Sequence, residues 1–190
     1  MIAPSLLHKL VHRIALYDDP KAYKELFMLY HSKLVNFSAT ITGSRETSEE
    51  IVSDVFFKIW SHRTHLPQVE NLHLYIYIIT KNLSINSLLK QKKEKTFSLD
   101  DAVVELKSMY LNPEQLMITA EMFKRISDAV NELPNKCRLI FKLVKEDGLK
   151  HREVAQLLNL SVKTVENQMT IALRKIGQSI RFNLSRTALN

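Results

Sequence analysis

The stretch Lys150–Lys175, KHREVAQLLNLSVKTVENQMTIALRK, spells two short helices across a tight turn. Ala155 is small where two helices must cross closely. Asn159 falls at the turn, where a positive φ is expected and Asn tolerates it better than most residues. Ser161 follows as an N-cap, because its hydroxyl can accept an orphan backbone N–H. Val165 would then plug the inner face of the second helix. The pattern is a helix-turn-helix, a motif whose second helix normally enters a DNA major groove.

Composition agrees with that start. A chain of 190 residues forms one domain or two small ones, each with a modest core. Three glycines, five prolines and no sustained strand-like alternation favour an all-α chain. The net charge of +7 suits a polyanionic partner through counterion release. Its distribution is sharper than its size: residues 136–186 hold eleven Lys or Arg against four Asp or Glu. A second basic cluster, Lys90, Lys92, Lys93 and Lys95, sits mid-chain. The one cysteine, Cys137, excludes an internal disulfide and lies in an apolar run, as a buried thiol would. No segment is apolar enough to span a membrane, and the N-terminus lacks the plan of a signal peptide. A cytoplasmic protein is expected.

Working outward, the N-terminal half carries three helical signals. Pro20 follows the candidate caps Asp18 and Asp19, and Tyr23, Phe27, Tyr30, Leu34 and Phe37 recur at helical spacing up to Gly43. SRETSEEIVSDVFFKIWSHR, from Ser44, opens with caps and acids and carries two apolar rows: Ile51, Val55, Ile59 and Val52, Phe56, Trp60. From Leu72 to Lys90 a broad apolar surface includes Leu72, Tyr75, Ile79, Leu83 and Leu89. Charge and an SLDD turn over residues 91–112 indicate a linker. Asn112-Pro113 restarts a helix with the stripe Leu116, Ala120, Phe123, Val130 and Leu133. Pro134 ends it, Asn135 is expected to cap the next helix, and Asp147-Gly148 close that one. The sequence thus predicts two small helical domains, 15–92 and 113–182, joined by a flexible linker at 93–112.

Taken in order, these segments resemble an extracytoplasmic-function sigma factor of the sigma-70 superfamily, over about residues 15–182. EEIVSDVFFKIW is similar to the family's acidic D-x-F-x-x-x-W helix. YIYIITKNLSINSLLKQKK resembles the region that follows it, and ELPNKCRLIFKLVKEDGLKHREVAQLLNLSVKTVENQMTIALRKI resembles the −35-reading domain with its L-P-x-x-x-R-x-x-F opening. Tyr75 stands for a frequent tryptophan, Lys81 for arginine, Asn86 for aspartate and Asn159 for glycine. The resemblance implies a region 2-like domain that binds core RNA polymerase and the promoter −10 element. A region 4-like domain would read the −35 element. The implied partners are the largest-subunit clamp helices, the flap of the second-largest subunit, promoter DNA and an anti-sigma factor.

Site residues follow from the resemblance and the side-chain chemistry together. Asp54, Lys58, Trp60 and Arg63 fall on the polymerase-docking segment, where aromatic and Arg anchors suit a buried hot spot; the core is the alternative place for Trp60. Thr64–Asn71 resembles the loop that captures a base flipped from the −10 element. Asn71 and Asn82 carry amides fit for base edges, with Lys81, Lys90, Lys92 and Lys93 on the phosphates of that strand. In the second domain Lys163, Thr164, Asn167 and Gln168 are expected on the outer face of the recognition helix, and Val165, Met169 and Leu173 on its inner face. Asn and Gln can bond adenine bidentately, and Lys reads guanine or phosphate. Lys150, Arg152, Arg174 and Lys175 would grip phosphates.

Enzymatic chemistry finds no support. His8 and His12 have i, i+4 spacing without an acidic or thiol partner, so no metal is expected. His62, His65 and His73 are expected as ordinary surface residues. There is no phosphate-binding Gly loop and no nucleophile elbow, hence no cofactor and no small-molecule substrate. Two rivals remain open: a response-regulator output protein sharing this helix-turn-helix, and a sigma-mimicking adaptor that sequesters a regulator without binding DNA.

Overall fold

Asp18 and Asp19 separate α1 (Pro4–Tyr17) from α2 (Pro20–Thr42), and the second aspartate starts α2. Its Oδ1 accepts the N–H groups of Lys21 at 2.8 Å and Ala22 at 3.2 Å, while Pro20 sits where a missing N–H costs nothing. Gly43 closes α2 at φ 73°, its N–H returning to the Ala39 carbonyl. Ser44 then caps α3 (Arg45–Ser61) by accepting the Thr47 N–H at 3.2 Å. A 3₁₀ helix, Arg63–Gln68, leads into α4 (Leu72–Glu94).

The computed structural model describes the backbone of residues 4–94 and 118–187, and the side chains of 5–91, 124 and 126–179. Among the described residues there are eight α-helices, one 3₁₀ helix and no strand, as an all-α chain requires. The chain divides into two compact units, Met1–Glu105 and Leu106–Asn190. No described helix is long and apolar enough to cross a membrane.

In the first unit α1 enters ahead of residue 15, where the sequence reading begins its domain. Leu7, Leu10, Val11 and Ile14 bury one face of α1 against α2 and the 3₁₀ helix. The expected rows of α2 and α3 meet at its centre, where Tyr30, Leu34, Val52, Val55 and Phe56 are essentially inaccessible. The α4 helix differs from expectation. Leu89 is exposed, and the buried row runs through Ile76, Tyr77, Thr80 and Ser84. Small hydroxyl residues line that row because α2 packs against it: Ser84 and Ser38 share a 2.8 Å hydrogen bond, and Thr80 and Ser84 also donate to the carbonyls of Ile76 and Thr80. An apolar count cannot find a face built of serine. The helix also runs to Glu94, past the boundary at 92; the rest of the expected linker, and the Asn112-Pro113 restart, lie outside the described residues.

The second unit holds α5 (Ile118–Asn131), α6 (Asn135–Lys145), α7 (His151–Leu158) and α8 (Val162–Thr187). Ala129, Val130, Leu133, Cys137, Ala172 and Ile176 form one apolar cluster. Asn135 does not cap α6; it is the first helical residue, Pro134 precedes it, and its side-chain oxygen accepts from Arg138 Nη2 at 2.6 Å. Gly148, at φ 85°, turns the chain out of α6. The second helix of the motif extends past residue 182, to Thr187.

Candidate nucleic-acid interface

The turn between α7 and α8 sets the recognition helix. Asn159 adopts the left-handed conformation at φ 52°, ψ 50°. The Leu160 N–H reaches back to the Ala155 carbonyl at 2.9 Å and the Asn159 N–H to Gln156 at 3.4 Å, which closes α7 with a Schellman pattern. Ser161 Oγ then accepts the Thr164 N–H at 3.0 Å and starts α8. Glu153 supports the entry to α7 by accepting the Lys150 N–H at 2.7 Å.

Two rows of α8 point opposite ways. Val165, Met169, Ala172 and Ile176 are buried; Lys163, Asn167, Thr170 and Arg174, two residues out of phase at the same spacing, are exposed. Of the residues expected on the outer face, Lys163 and Asn167 lie on the outermost row. Thr164 and Gln168 are half-buried on its flank: the Thr164 hydroxyl bonds Ser161 Oγ at 2.8 Å, and the main-chain carbonyl of Gln168 accepts the Cys137 thiol at 3.3 Å. Lys150, Arg152, Arg174 and Lys175 are all exposed. Leu173 corrects the expected inner face, for it is 52% exposed. Sequence reasoning missed Thr170, which the i, i+4, i+7, i+11 rhythm from Lys163 would have found. Burial pushes the Cys137 thiol pKa up, with a smaller opposing pull from Lys175.

In the first unit Trp60 is half-buried, its ring edge-on to Tyr23 at 4.9 Å with the Arg63 guanidinium 4.8 Å from the ring centroid. Arg63 is fixed in turn by Asp18 and by donating to the Trp60 carbonyl at 3.1 Å. Asp54 and Lys58 are exposed on α3, flanking Phe57, which is 69% exposed and which sequence reasoning overlooked. A solvent-facing aromatic among charges is invisible to periodicity when its neighbour Phe56 fits the core row.

The segment from Thr64 is mostly 3₁₀ helix anchored by buried Leu66, and Asn71 ends it with its amide oxygen accepting the Leu74 N–H at 3.0 Å. Asn71 thus caps α4, and Asn82 stands exposed on that helix. Lys90 is exposed and Lys81 half-buried; the side chains of Lys92 and Lys93 lie outside the described residues. His73 is not an ordinary surface residue: it is half-buried and bonds the buried Tyr30 hydroxyl through Nδ1 at 2.8 Å. Among the described residues, no three His, Cys, Asp or Glu side chains group in a way that could hold a metal.

Comparison with known proteins follows this division. The model of sigma-70 region 2 matches residues 26–94 and that of sigma-70 region 4 matches residues 123–176. The chain is 23% identical over 170 residues to the ECF RNA polymerase sigma factor SigW of Bacillus subtilis, covering 86% of this chain and 91% of that one. It is 24% identical over 171 residues to the ECF RNA polymerase sigma-E factor of Escherichia coli K12, covering 86% and 88%. The chain belongs to the sigma-70 family, in its extracytoplasmic-function group. Transcription initiation is the task of this sigma factor's family, which is not a family of enzymes. Two solved structures share its fold. CnrH, solved with the cytosolic domain of CnrY, superposes with a TM-score of 0.53 at 16% identity, covering 93% of this chain and 97% of that one. The sigma factor RpoE of Bartonella quintana, solved with the anti-sigma factor NepR, gives 0.54 at 19% identity, covering 85% and 98%. The region 2 match takes in α3 and α4, the region 4 match takes in α7 and the start of α8, and α1 lies ahead of both.

Proposed function

We propose that this sigma factor carries core RNA polymerase to a promoter whose −35 element is read by α8 and whose −10 element is opened by α4. The observation that carries the proposal is the outward row Lys163, Asn167, Thr170 and Arg174, which combines donors and acceptors for base edges with cations for phosphate. Thr164 and Gln168 add contacts from the flank, and Lys150, Arg152 and Lys175 hold phosphates beside it. Asn82, with Lys81, Lys90, Lys92 and Lys93, serves the −10 strand. Asp54, Lys58, Trp60 and Arg63 dock the clamp helices of the largest polymerase subunit, with Phe57 as a further apolar anchor; the flap of the second-largest subunit takes the second unit. An anti-sigma factor holds the protein inactive, as the partners of CnrH and RpoE suggest. Reconstituted transcription tests the proposal: core polymerase initiates at the cognate promoter only when the chain is added, and Lys163→Glu with Arg174→Glu abolishes start-site choice. Retention on core enzyme without initiation would favour a sequestering adaptor.

A further inference from the structure

Asp18, at the corner between α1 and α2, occupies a backbone conformation that side chains seldom adopt. Its φ is 49°, and with Asn159 it is one of two described residues other than glycine at positive φ. Its carboxylate reaches a residue 45 positions away: Oδ1 accepts the Nε–H of Arg63, the first residue of the 3₁₀ helix. That bond holds the Asp18 carboxyl below its ordinary pKa. The Asp18 side chain is 61% exposed, and an ion pair open to water adds little to the stability of a fold. What the pair does fix is Arg63. The guanidinium is held by Asp18 and by the Trp60 carbonyl at 3.1 Å, and it lies 4.8 Å from the centroid of the Trp60 ring. That ring rests edge-on against Tyr23 at 4.9 Å, and the Tyr23 hydroxyl donates to the Phe56 carbonyl at 2.9 Å. Asp18 lies ahead of residues 26–94, the part that the region 2 model matches.

We infer that Asp18 is a positioning residue for polymerase docking, fixing Arg63 across Trp60 so that both anchors stand in place before core enzyme arrives. The inference rests on the docking role proposed above for Trp60 and Arg63. An unrestrained arginine samples many rotamers, and ordering one on binding costs about twofold to tenfold in affinity. The bond to Asp18 does that ordering in the free protein. The remaining N–H groups of the guanidinium are left to meet a carboxylate or carbonyl of the partner. Asp18→Gly would relieve the backbone and release Arg63, so docking weakens while stability changes little.

The test measures Asp18→Gly, Arg63→Ala and the two combined, each in the full-length chain with purified core polymerase. Asp18→Gly is expected to weaken core binding by about twofold to tenfold. Its melting midpoint should stay within about 4 °C of wild type. Arg63→Ala is expected to weaken binding at least as much, and adding Asp18→Gly to it should change nothing further, because no guanidinium is left to place. Acrylamide should quench Trp60, the chain's one tryptophan, more strongly in the free Asp18→Gly chain than in wild type. Unchanged quenching, or Asp18→Gly binding core enzyme as wild type does while Arg63→Ala binds weakly, would overturn the inference and leave the docking role of Arg63 standing. A loss of binding that persists in the Arg63→Ala background would show Asp18 acting by another route, and a matching fall in melting midpoint would make the pair a support of the fold; either overturns it. Arg63→Ala with unaltered core binding overturns the docking reading itself, an outcome distinct from the rest.

Discussion

Replacing Asn159 tests whether the left-handed turn is what joins α7 to the recognition helix. At φ 52° and ψ 50° any Cβ crowds the following carbonyl, at a cost of about 1–2 kcal/mol for an ordinary residue. Asn bears less of that cost than most, so Asn159→Ala is expected to destabilise the second unit by about 1 kcal/mol. Asn159→Val, which adds a β-branch at the same φ, should lose about 2 kcal/mol or more. Asn159→Gly escapes the clash but gains freedom when unfolded, so it should fall within about 1 kcal/mol of wild type on the stable side. For a unit of this size each kcal/mol moves the melting midpoint by about 4–8 °C. Far-UV circular dichroism follows the helices, while Trp60, the chain's one tryptophan, reports the other unit by fluorescence. The expected order of midpoints is Gly, Asn, Ala, Val. An alanine variant as stable as the glycine variant would refute the reasoning, because the two differ only by the Cβ on which the argument turns.

Three shorter predictions accompany it. If Lys163 and Arg174 each neutralise a phosphate, changing either to Ala lowers the slope of log affinity against log salt by about one, and an unchanged slope removes that residue from the backbone contacts. The hydrogen bond from Arg13, aided by the N–H groups of Ala22 and Lys21, holds the Asp19 carboxyl below its ordinary pKa. A depressed carboxylate contributes stability that is present above its unfolded pKa and lost as pH falls through the folded one. Asp19→Asn, which keeps the cap, should therefore flatten the acid limb of the stability profile below about pH 4, and an unaltered limb refutes the pairing. Because Cys137 is buried and its thiol pKa raised, a bulky thiol reagent should label it only as urea opens the second unit; rapid labelling of the native chain would contradict its place in the core.

What was legible in the sequence had fixed offsets. Asp19, Gly43, Ser44, Asn159 and Ser161 each act within four residues of themselves, so their roles follow from local backbone chemistry whatever packs around them. The outer row of α8 was half-legible, since Lys163 and Asn167 are polar at helical spacing while Thr170 is not conspicuous. The misassigned residues are apolar ones facing water and polar ones facing the core. Leu89 and Leu173 carry the same side chain as buried leucines, and only the register of the helix against its neighbours decides which way each points. Ser38, Thr80 and Ser84 count as polar, yet they are the residues small enough for α2 and α4 to pack closely, and each finds its hydrogen bond inside. Asn71 could have served a base or a backbone amide; its position one residue before α4 gave the amide oxygen to the helix.

The same geometry explains why the two candidate surfaces differ in kind. On α8 the inner row of Val165, Met169, Ala172 and Ile176 is packed on α6 and α5, and the start of the helix is pinned by Ser161, so the outer side chains keep a fixed register. Fixed register is what edge reading in a rigid groove needs, because a bidentate hydrogen bond tolerates little displacement. On α4 the exposed pair Ile85 and Leu89 is aliphatic and adjustable, and apolar contact carries no such directional demand. On the function proposed above, α8 serves the duplex element and α4 the opened strand, and exchanging the two outer rows would then be expected to impair both.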